Sequence, residues 1–346
     1  MKVLQNPGAR RRLRQFFFLL GLLLFALLIY RLNPRDLWQH LQTIGYKFIF
    51  ILLVSFLCYL FYSWAWEIFL KGLSKRVRYG DILKIKIVGE AVNFITPLSW
   101  GGGDPVRILL LKDHIPVNEG TASVVVDRTL NNLAVALFML IGVFFTFLNF
   151  TLPPSLEIGL PLGLAVILLG SAFLYVRAHE GLFQFFLDLA VKLRLKKSFS
   201  EATLKNVAEI DGHISRFYKM NKAGFVAAFG LHFLGRLCAV AEIYLAAWFL
   251  GQALTWTESY LLASMTVLVN MIFVFVPGGI GVLEGAFAGI FAVMHRDPAV
   301  GGAIQIVRRL RMVFWIVVGL ILMAMLKKQG MNSDGEKANQ NISGHP

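Results

Sequence analysis

Arginine and carboxylate residues recur in this chain at an offset of 180 residues. Asp104 and Arg128 in the first copy correspond to Glu284 and Arg308 in the second. A guanidinium group forms bidentate ion pairs with a carboxylate, and it binds a phosphate group in the same way. We therefore expect the two arginines to share one role, which is either pairing with these acids or binding a phosphate.

Each of the two acids follows a Pro/Gly-rich break within an apolar stretch. The breaks are Thr96-Pro-Leu-Ser-Trp-Gly-Gly-Gly-Asp-Pro and Val276-Pro-Gly-Gly-Ile-Gly-Val-Leu-Glu. Glycine allows positive φ angles and close approach to the backbone, and the helix that starts after a break offers free N–H groups to an anion. The turn residues that we take as candidate binding positions are Gly101, Gly102, Gly103, Pro277, Gly278, Gly279 and Gly281. Asp104 is also a suitable N-cap residue, and Glu284 could be an acid in the first turn of its helix. Capping and ligand roles therefore remain open for both.

Further ionisable residues lie inside apolar stretches. Arg107 follows the first break by one turn, Asp127 opens the next span, and Arg236 lies near the middle of another span, four residues after His232. Charged side chains at such depth are costly and face a partner or a wet cavity. Arg107, Asp127 and Arg236 are therefore candidate head-group ligands, although His232 and Arg236 also suit an internal pair that only fixes packing. Glu90 is a candidate proton carrier.

The remaining reactive side chains form no catalytic or metal-binding pattern. Arg309 and Arg311 lie where snorkelling anchors are common. Cys58 and Cys238 are far apart in sequence and suit small packing residues. No nucleophile elbow, Walker loop, His-Glu-x-x-His pair or zinc spacing occurs in the sequence. We expect no enzymatic activity, no cofactor and no metal ion.

The composition indicates an integral membrane protein. The chain is 57% apolar, which exceeds the apolar content of an ordinary soluble domain. Its mean hydropathy is +0.66. Its net charge of +14 comes from basic residues that cluster in segments beside apolar runs. That pattern favours cytoplasmic loops near anionic lipid and argues against nucleic-acid binding.

The apolar runs predict an all-α protein with about six spanning helices. Basic residues number five before the first span, six in residues 71–86 and nine in residues 177–222, which places these segments and both termini in the cytoplasm. The predicted spans are residues 16–32, 45–70, 121–150, 158–176, 225–250 and 303–326.

Two longer stretches, residues 82–111 and 259–294, are apolar on both sides of their Pro/Gly break. We expect two re-entrant hairpins that enter from opposite faces of the membrane. The repeat halves, about 45–150 and 225–326, are then inverted relative to each other, as in many transporters. The alternative is that each leg of a hairpin crosses the membrane fully.

The other segments complete a single transmembrane domain over residues 1–326. Apolar residues at helical spacing opposite lysines predict an amphipathic cytoplasmic segment over 177–222 that lies on anionic lipid. The polar residues 327–346 predict a disordered cytoplasmic tail.

These motifs resemble the lysylphosphatidylglycerol synthase transmembrane-region family, the flippase-like membrane portion of bacterial aminoacyl-lipid synthases, which also occurs as stand-alone proteins. The resemblance covers roughly residues 12–326, and Pro277-Gly-Gly-Ile-Gly-Val-Leu-Glu is its most specific part. It implies lipid translocation. The soluble domain that transfers the amino acid is not expected here, because only twenty residues follow the last predicted span.

We therefore expect a bacterial inner-membrane protein that translocates, or assists translocation of, a phospholipid or lipid-linked head group. Its partners are expected to be anionic or zwitterionic membrane lipids, with a second copy or a lipid-biosynthesis enzyme as further candidates. The alternative is a membrane subunit or enzyme of a lipid-linked pathway, acting on polyprenyl-phosphate sugars or aminoacyl lipids. A weaker third interpretation is an ion-conducting or regulatory protein.

Overall fold

The structure is a computed structural model that describes residues 42, 44–96, 102–149, 151, 154–195, 198–220, 222–273 and 281–343. Side chains are described within these ranges except at 155, 156, 220 and 327–343. The described residues contain helices and no strand. A short 3-10 helix at Gly45–Lys47 precedes eleven α-helices, which are α1 (Phe48–Leu70), α2 (Tyr79–Ile95), α3 (Gly103–Leu111), α4 (Val117–Asn149), α5 (Pro154–Glu180), α6 (Leu182–Lys192), α7 (Glu201–Met220), α8 (Lys222–Phe249), α9 (Trp256–Ile272), α10 (Val282–Val293) and α11 (Pro298–Ser343).

The all-α membrane architecture predicted from the sequence is confirmed. Within the described residues, five helices are long and apolar enough to cross a membrane, and each overlaps one of the predicted spans. Their bounds are Gly45–Leu70, Val117–Asn149, Glu157–Glu180, Lys222–Phe249 and Pro298–Leu326. The sixth predicted span, residues 16–32, lies outside the described residues.

The order of helices α1 to α4 recurs in α8 to α11, close to the 180-residue offset of the sequence motifs. The two sets interlock: α1 packs against α8, α2 packs against α11, and α9 packs against α4. The first helix of each hairpin thus contacts the last helix of the other repeat. These contacts pack the two repeats against each other. Re-entry of the hairpins from opposite faces of the membrane stays a prediction.

Small residues let these helices approach closely. A Cβ atom added to Gly142 on α4 would lie 2.5 Å from the Cβ of Ser264 on α9. One added to Gly319 on α11 would lie 2.3 Å from the Cβ of Ala91 on α2. Close packing of backbones is the usual way in which transmembrane helices associate, since lipid supplies no hydrophobic drive between them.

The first hairpin is held together by contact between its glycines. A Cβ on Gly103 would lie 2.0 Å from the carbonyl oxygen of Gly89, and the N–H of Gly103 donates to Oδ1 of Asn93 at 2.8 Å. Gly102 has a φ of −65°, which any residue adopts. Close approach, and not a positive φ angle, therefore explains the glycines at 102 and 103.

The cytoplasmic segment forms α6 and α7, and α7 departs from the expectation of an interfacial helix. Its apolar residues Ile210, Ile214 and Phe217 are buried in a cluster with Phe69 of α1 and Val126 of α4. The apolar face of α7 is thus covered by the protein, because α4 extends far enough to meet it. On α6, Phe186 remains half exposed.

The last helix, α11, continues beyond its apolar span to Ser343. None of its side chains after residue 326 is described, so the disordered tail stays a prediction.

Candidate functional site

A polar cavity lies where the two repeats interlock. It consists of two adjoining chambers of about 280 and 260 Å³. Helices α2, α4, α8, α9 and α11 all contribute to its walls. The polar residues shared by both chambers are Glu90, Arg128, Asn131, Arg236, Thr266, Asn270, Arg308 and Arg311.

Asp127 is the centre of a buried network at one wall of this cavity. Its Oδ2 atom accepts hydrogen bonds from Nζ of Lys86 and from Nη2 of Arg107, both at 2.6 Å. Nε2 of His232 lies 3.3 Å from the other carboxylate oxygen. All four side chains are at most 3% exposed. Because buried charges are stable only when paired, these residues hold each other in place.

Asp104 is bound by the arginine that the repeat pattern singles out. Arg128 donates from Nε and Nη2 to the two oxygens of Asp104, at 3.0 and 2.8 Å. The N-cap role expected for Asp104 is wrong, since α3 begins at Gly103 and its cap residue makes no side-chain hydrogen bond. Two bonds to a charged guanidinium stabilise a carboxylate more than a single backbone N–H does.

In the second repeat the equivalent acid, Glu284, pairs with Arg309 and not with Arg308. Glu284 forms a bidentate ion pair with Arg309, and one of its bonds, from Nη2 to Oε2, is 2.7 Å. Glu284 also accepts the N–H of Gly281 at 2.8 Å, which agrees with a first-turn acid. Adjacent residues of a helix point about 100° apart, so only one of two neighbouring arginines can face the acid.

The neighbouring arginines share a different carboxylate. Arg308 and Arg311 lie 3.4 and 2.9 Å from Oε1 of Glu242, which is 3% exposed. Snorkelling is therefore wrong for Arg309 and Arg311, because both point into the protein and bind acids there.

Arg236 has the least neutralised guanidinium of the cavity. Its Nη2 donates to Oδ1 of Asn131 at 2.9 Å, and its buried Nε has no hydrogen-bond acceptor. Within the part of the chain that the structure describes, no carboxylate lies within ion-pair distance of it. His232, its expected partner at a four-residue spacing, contacts Asp127 instead.

Glu90 is the acid of the cavity that has no ion-pair partner among the described residues. It lines both chambers, and Nδ2 of Asn93 lies 3.5 Å from its Oε2.

The structure brings most of the candidate residues together. The chambers are lined by Arg107, Asp127, Arg128, Arg236 and Arg308. Asp104 and Glu284 do not line the chambers but bind two of the lining arginines, Arg128 and Arg309. The glycines at 102 and 103 lie in the α2–α3 contact, and Gly281 lies exposed at the start of α10. Gly101, Pro277, Gly278 and Gly279 lie outside the described residues.

Sequence reasoning missed Lys86 as a site residue. Counted as a loop cation, it is in fact 3% exposed and bound to Asp127. The available signal was the spacing of Lys86, Glu90 and Asn93, which at i, i+4 and i+7 share one face of a helix.

The cavity and its supporting ion pairs carry an excess of positive charge. Among the described residues, seven cations line it and five carboxylates either line it or bind those cations, which leaves two positive charges without a carboxylate. The cations are Lys86, Arg107, Arg128, Arg236, Arg308, Arg309 and Arg311, and the acids are Glu90, Asp104, Asp127, Glu242 and Glu284. Such a site suits an anionic group rather than a cation.

Comparison with known proteins identifies a family of membrane proteins. The family model described as the lysylphosphatidylglycerol synthase TM region matches residues 16–320. A UPF0104 membrane protein of Methanothermobacter thermautotrophicus is 22% identical over 311 residues, which cover 86% of this chain and 90% of that protein. One of Pyrococcus horikoshii is 22% identical over 91% of this chain and 98% of its own, and one of Methanocaldococcus jannaschii is 24% identical over 82% and 84%. No solved structure matches the chain.

Proposed function

The chain belongs to the lysylphosphatidylglycerol synthase transmembrane-region family, and on this premise we propose that it translocates, or assists translocation of, a lipid head group between membrane leaflets. The proposal places it in the cytoplasmic membrane, the inner membrane of a bacterium, with both termini in the cytoplasm. It acts as a transporter and not as an enzyme, and its partners are membrane lipids.

One observation carries this proposal: an arginine-rich cavity lies between two interlocked repeats. A head group that crosses the bilayer needs a polar path, because a charged group in hydrocarbon is costly. Arg128, Arg236 and Arg308 come from α4, α8 and α11, and all three line both chambers. Helices of both repeats therefore present guanidinium groups to the same cavity.

The interlocked packing supports alternating exposure of that cavity. Transporters built from internal repeats place the substrate between the repeats and open it by rocking one against the other. Here α2 and α9 each pack against the last helix of the other repeat. A small movement of either hairpin thus changes the wall of the cavity on the side of the opposite repeat.

Glu90 is the proposed site of proton coupling. It faces the chambers next to Arg128 and has no cation within ion-pair distance among the described residues. Loss of its proton adds a negative charge beside the arginines, which weakens the binding of an anionic head group there. Protonation and lipid binding are therefore expected to favour each other.

Reconstitution tests the proposal. Purified protein in liposomes that contain a fluorescent phospholipid should equilibrate the lipid between leaflets, measured by quenching from outside. Arg236→Gln should abolish this, whereas Arg177→Gln, at the partly exposed ion pair with Glu180 at the end of α5, should not. If no lipid class moves under any ion gradient, the translocation proposal fails and a subunit role in a lipid-linked pathway is favoured instead.

A further inference from the structure

We propose that this cavity selects phosphomonoester head groups, which carry close to two negative charges, over phosphodiesters and zwitterions. The inference rests on the proposed function, since it names the substrate class of the same site. It follows from where the uncompensated charges lie.

The two surplus charges can be assigned to particular residues. Arg236 has no carboxylate partner among the described residues, and Arg308 and Arg311 share the single carboxylate of Glu242. Glu284 and Arg309 form a neutral pair, whereas Asp104 binds Arg128 and also lies 3.3 Å from Nη1 of Arg107. Asp104 and Asp127 thus hold three cations, Lys86, Arg107 and Arg128, and ionised Glu90 balances the third across the chamber. A proton on Glu90 enlarges the surplus of positive charge and does not remove it.

Charge balance then decides between classes of ligand. A charge without a partner is unfavourable in a partly buried cavity, so a ligand is favoured when it removes the imbalance. A phosphomonoester carries about −1.5 to −2 near pH 7 and neutralises both surplus charges. A phosphodiester, with a single negative charge, neutralises one of them, and a zwitterion neutralises neither.

Unsatisfied donors support the same ligand. The buried Nε atoms of Arg107 and Arg236 have no hydrogen-bond acceptor in the described structure. A buried donor without an acceptor is unfavourable, and a ligand oxygen can supply the missing acceptor. A phosphomonoester offers three terminal oxygens, whereas a phosphodiester offers two, so the monoester can bind guanidinium groups on more than one helix at once.

The direct test compares two lipids that differ by one methyl group. Phosphatidate and phosphatidylmethanol with the same acyl chains are titrated against the detergent-solubilised protein at about pH 8, well above the second phosphate pKa of about 6. We expect phosphatidate to bind at least about tenfold more tightly, as expected for charge pairs within a binding site. Equal affinities for the two lipids overturn the proposal.

Competition with soluble phosphates shows whether the site binds only lipid phosphomonoesters or soluble ones as well. Glycerol 3-phosphate and inorganic phosphate are added as competitors in the same titration. If millimolar amounts displace phosphatidate, the site accepts soluble phosphomonoesters as well. If they do not, acyl chains are part of recognition; both outcomes retain the phosphomonoester preference.

A charge-adding variant tests the assignment of the surplus. Asn131→Asp places an isosteric acid beside Nη2 of Arg236 and should lower phosphatidate affinity about tenfold. Phosphatidylmethanol, which carries a single negative charge, should lose less affinity, so the ratio of the two affinities should fall. Asn270→Asp adds a negative charge on α9 at a position that lines both chambers. It replaces the first variant in the test if that variant misfolds. Asn149→Asp, exposed at the end of α4, is the matched control and should change nothing.

The outcomes separate this inference from the proposed function. The binding titration needs no transport, so a strong phosphomonoester preference in a protein that moves no lipid leaves the inference standing and removes the function. If the protein moves lipid but binds both esters equally, the proposed function stands and the phosphomonoester preference is refuted. If both acid variants fold and leave the ratio of affinities unchanged, the surplus charge does not select the ligand.

Discussion

Replacing Gly103 by alanine should separate the two helices of the first hairpin. The added Cβ would lie 2.0 Å from the carbonyl oxygen of Gly89, and real Cβ atoms essentially never come closer than 3.0 Å. The two backbones must therefore move apart by about 1 Å, the difference between these distances. Since the obstacle is backbone, no change of rotamer relieves the clash.

The expected cost combines two effects. Overpacking that shifts a backbone costs about 1–3 kcal/mol. The hydrogen bond from Gly103 N–H to Asn93, 2.8 Å long, weakens as the helices separate and adds about 1 kcal/mol. The total of about 2–4 kcal/mol corresponds to a fall in melting temperature of about 4–8 °C, at about 2 °C per kcal/mol.

Tryptophan fluorescence on heating measures this effect. Trp66 lies in the affected region, since the guanidinium carbon of Arg107 is 4.0 Å from the centroid of its indole ring. Gly170→Ala on α5 is the matched control, because nothing lies within 4 Å of the added atom. The control should be neutral or stabilise by up to about 1 kcal/mol, as alanine favours a helix over glycine. A Gly103→Ala protein that melts within about one degree of the unmodified protein would refute the close packing of this hairpin.

Three other perturbations test separate parts of the structure. Asp127→Asn should destabilise the protein by about 3–5 kcal/mol in a thermal melt, because Lys86 and Arg107 lose their shared charge partner; a neutral result contradicts the buried network. Thr255→Ala should cost about 1 kcal/mol and Thr255→Ser much less, since the hydroxyl accepts the N–H of Glu258 at the start of α9; equal losses would argue against the cap. Arg128→Ala and Arg308→Ala should both abolish lipid movement in liposomes while membrane insertion persists, and loss in only one of them would contradict a cavity shared by the repeats.

The spans and the repeated helix order could be predicted from the sequence because they depend on local properties. A run of about twenty apolar residues must be helical in a bilayer, since its backbone has no other hydrogen-bond partners there. Residues 45–70 show this directly, as the predicted and observed bounds agree. The repeat was visible because equal spacing survives in sequence even when residue types drift.

The individual ion pairs could not be predicted in this way. The offset of 180 residues pairs Arg128 with Arg308, yet the arginine that binds Glu284 is Arg309. A difference of one residue rotates a side chain by about 100° on the helix, and the offset does not fix that rotation. Lys86 was likewise mistaken for a loop cation, because its partner Asp127 lies 41 residues away in sequence.

The sequence by itself determined a helical membrane protein made of two related halves, with arginines and acids beside each break. Apolar length and residue spacing are sufficient for that, because both act within one helix. Only the tertiary structure decided which cations are neutralised and which remain for a ligand. Asp104 and Glu284 hold Arg128 and Arg309, whereas Arg236 has no acid among the described residues. Charge balance in a buried cavity depends on distances between helices, and those distances exist only after the two repeats have packed together.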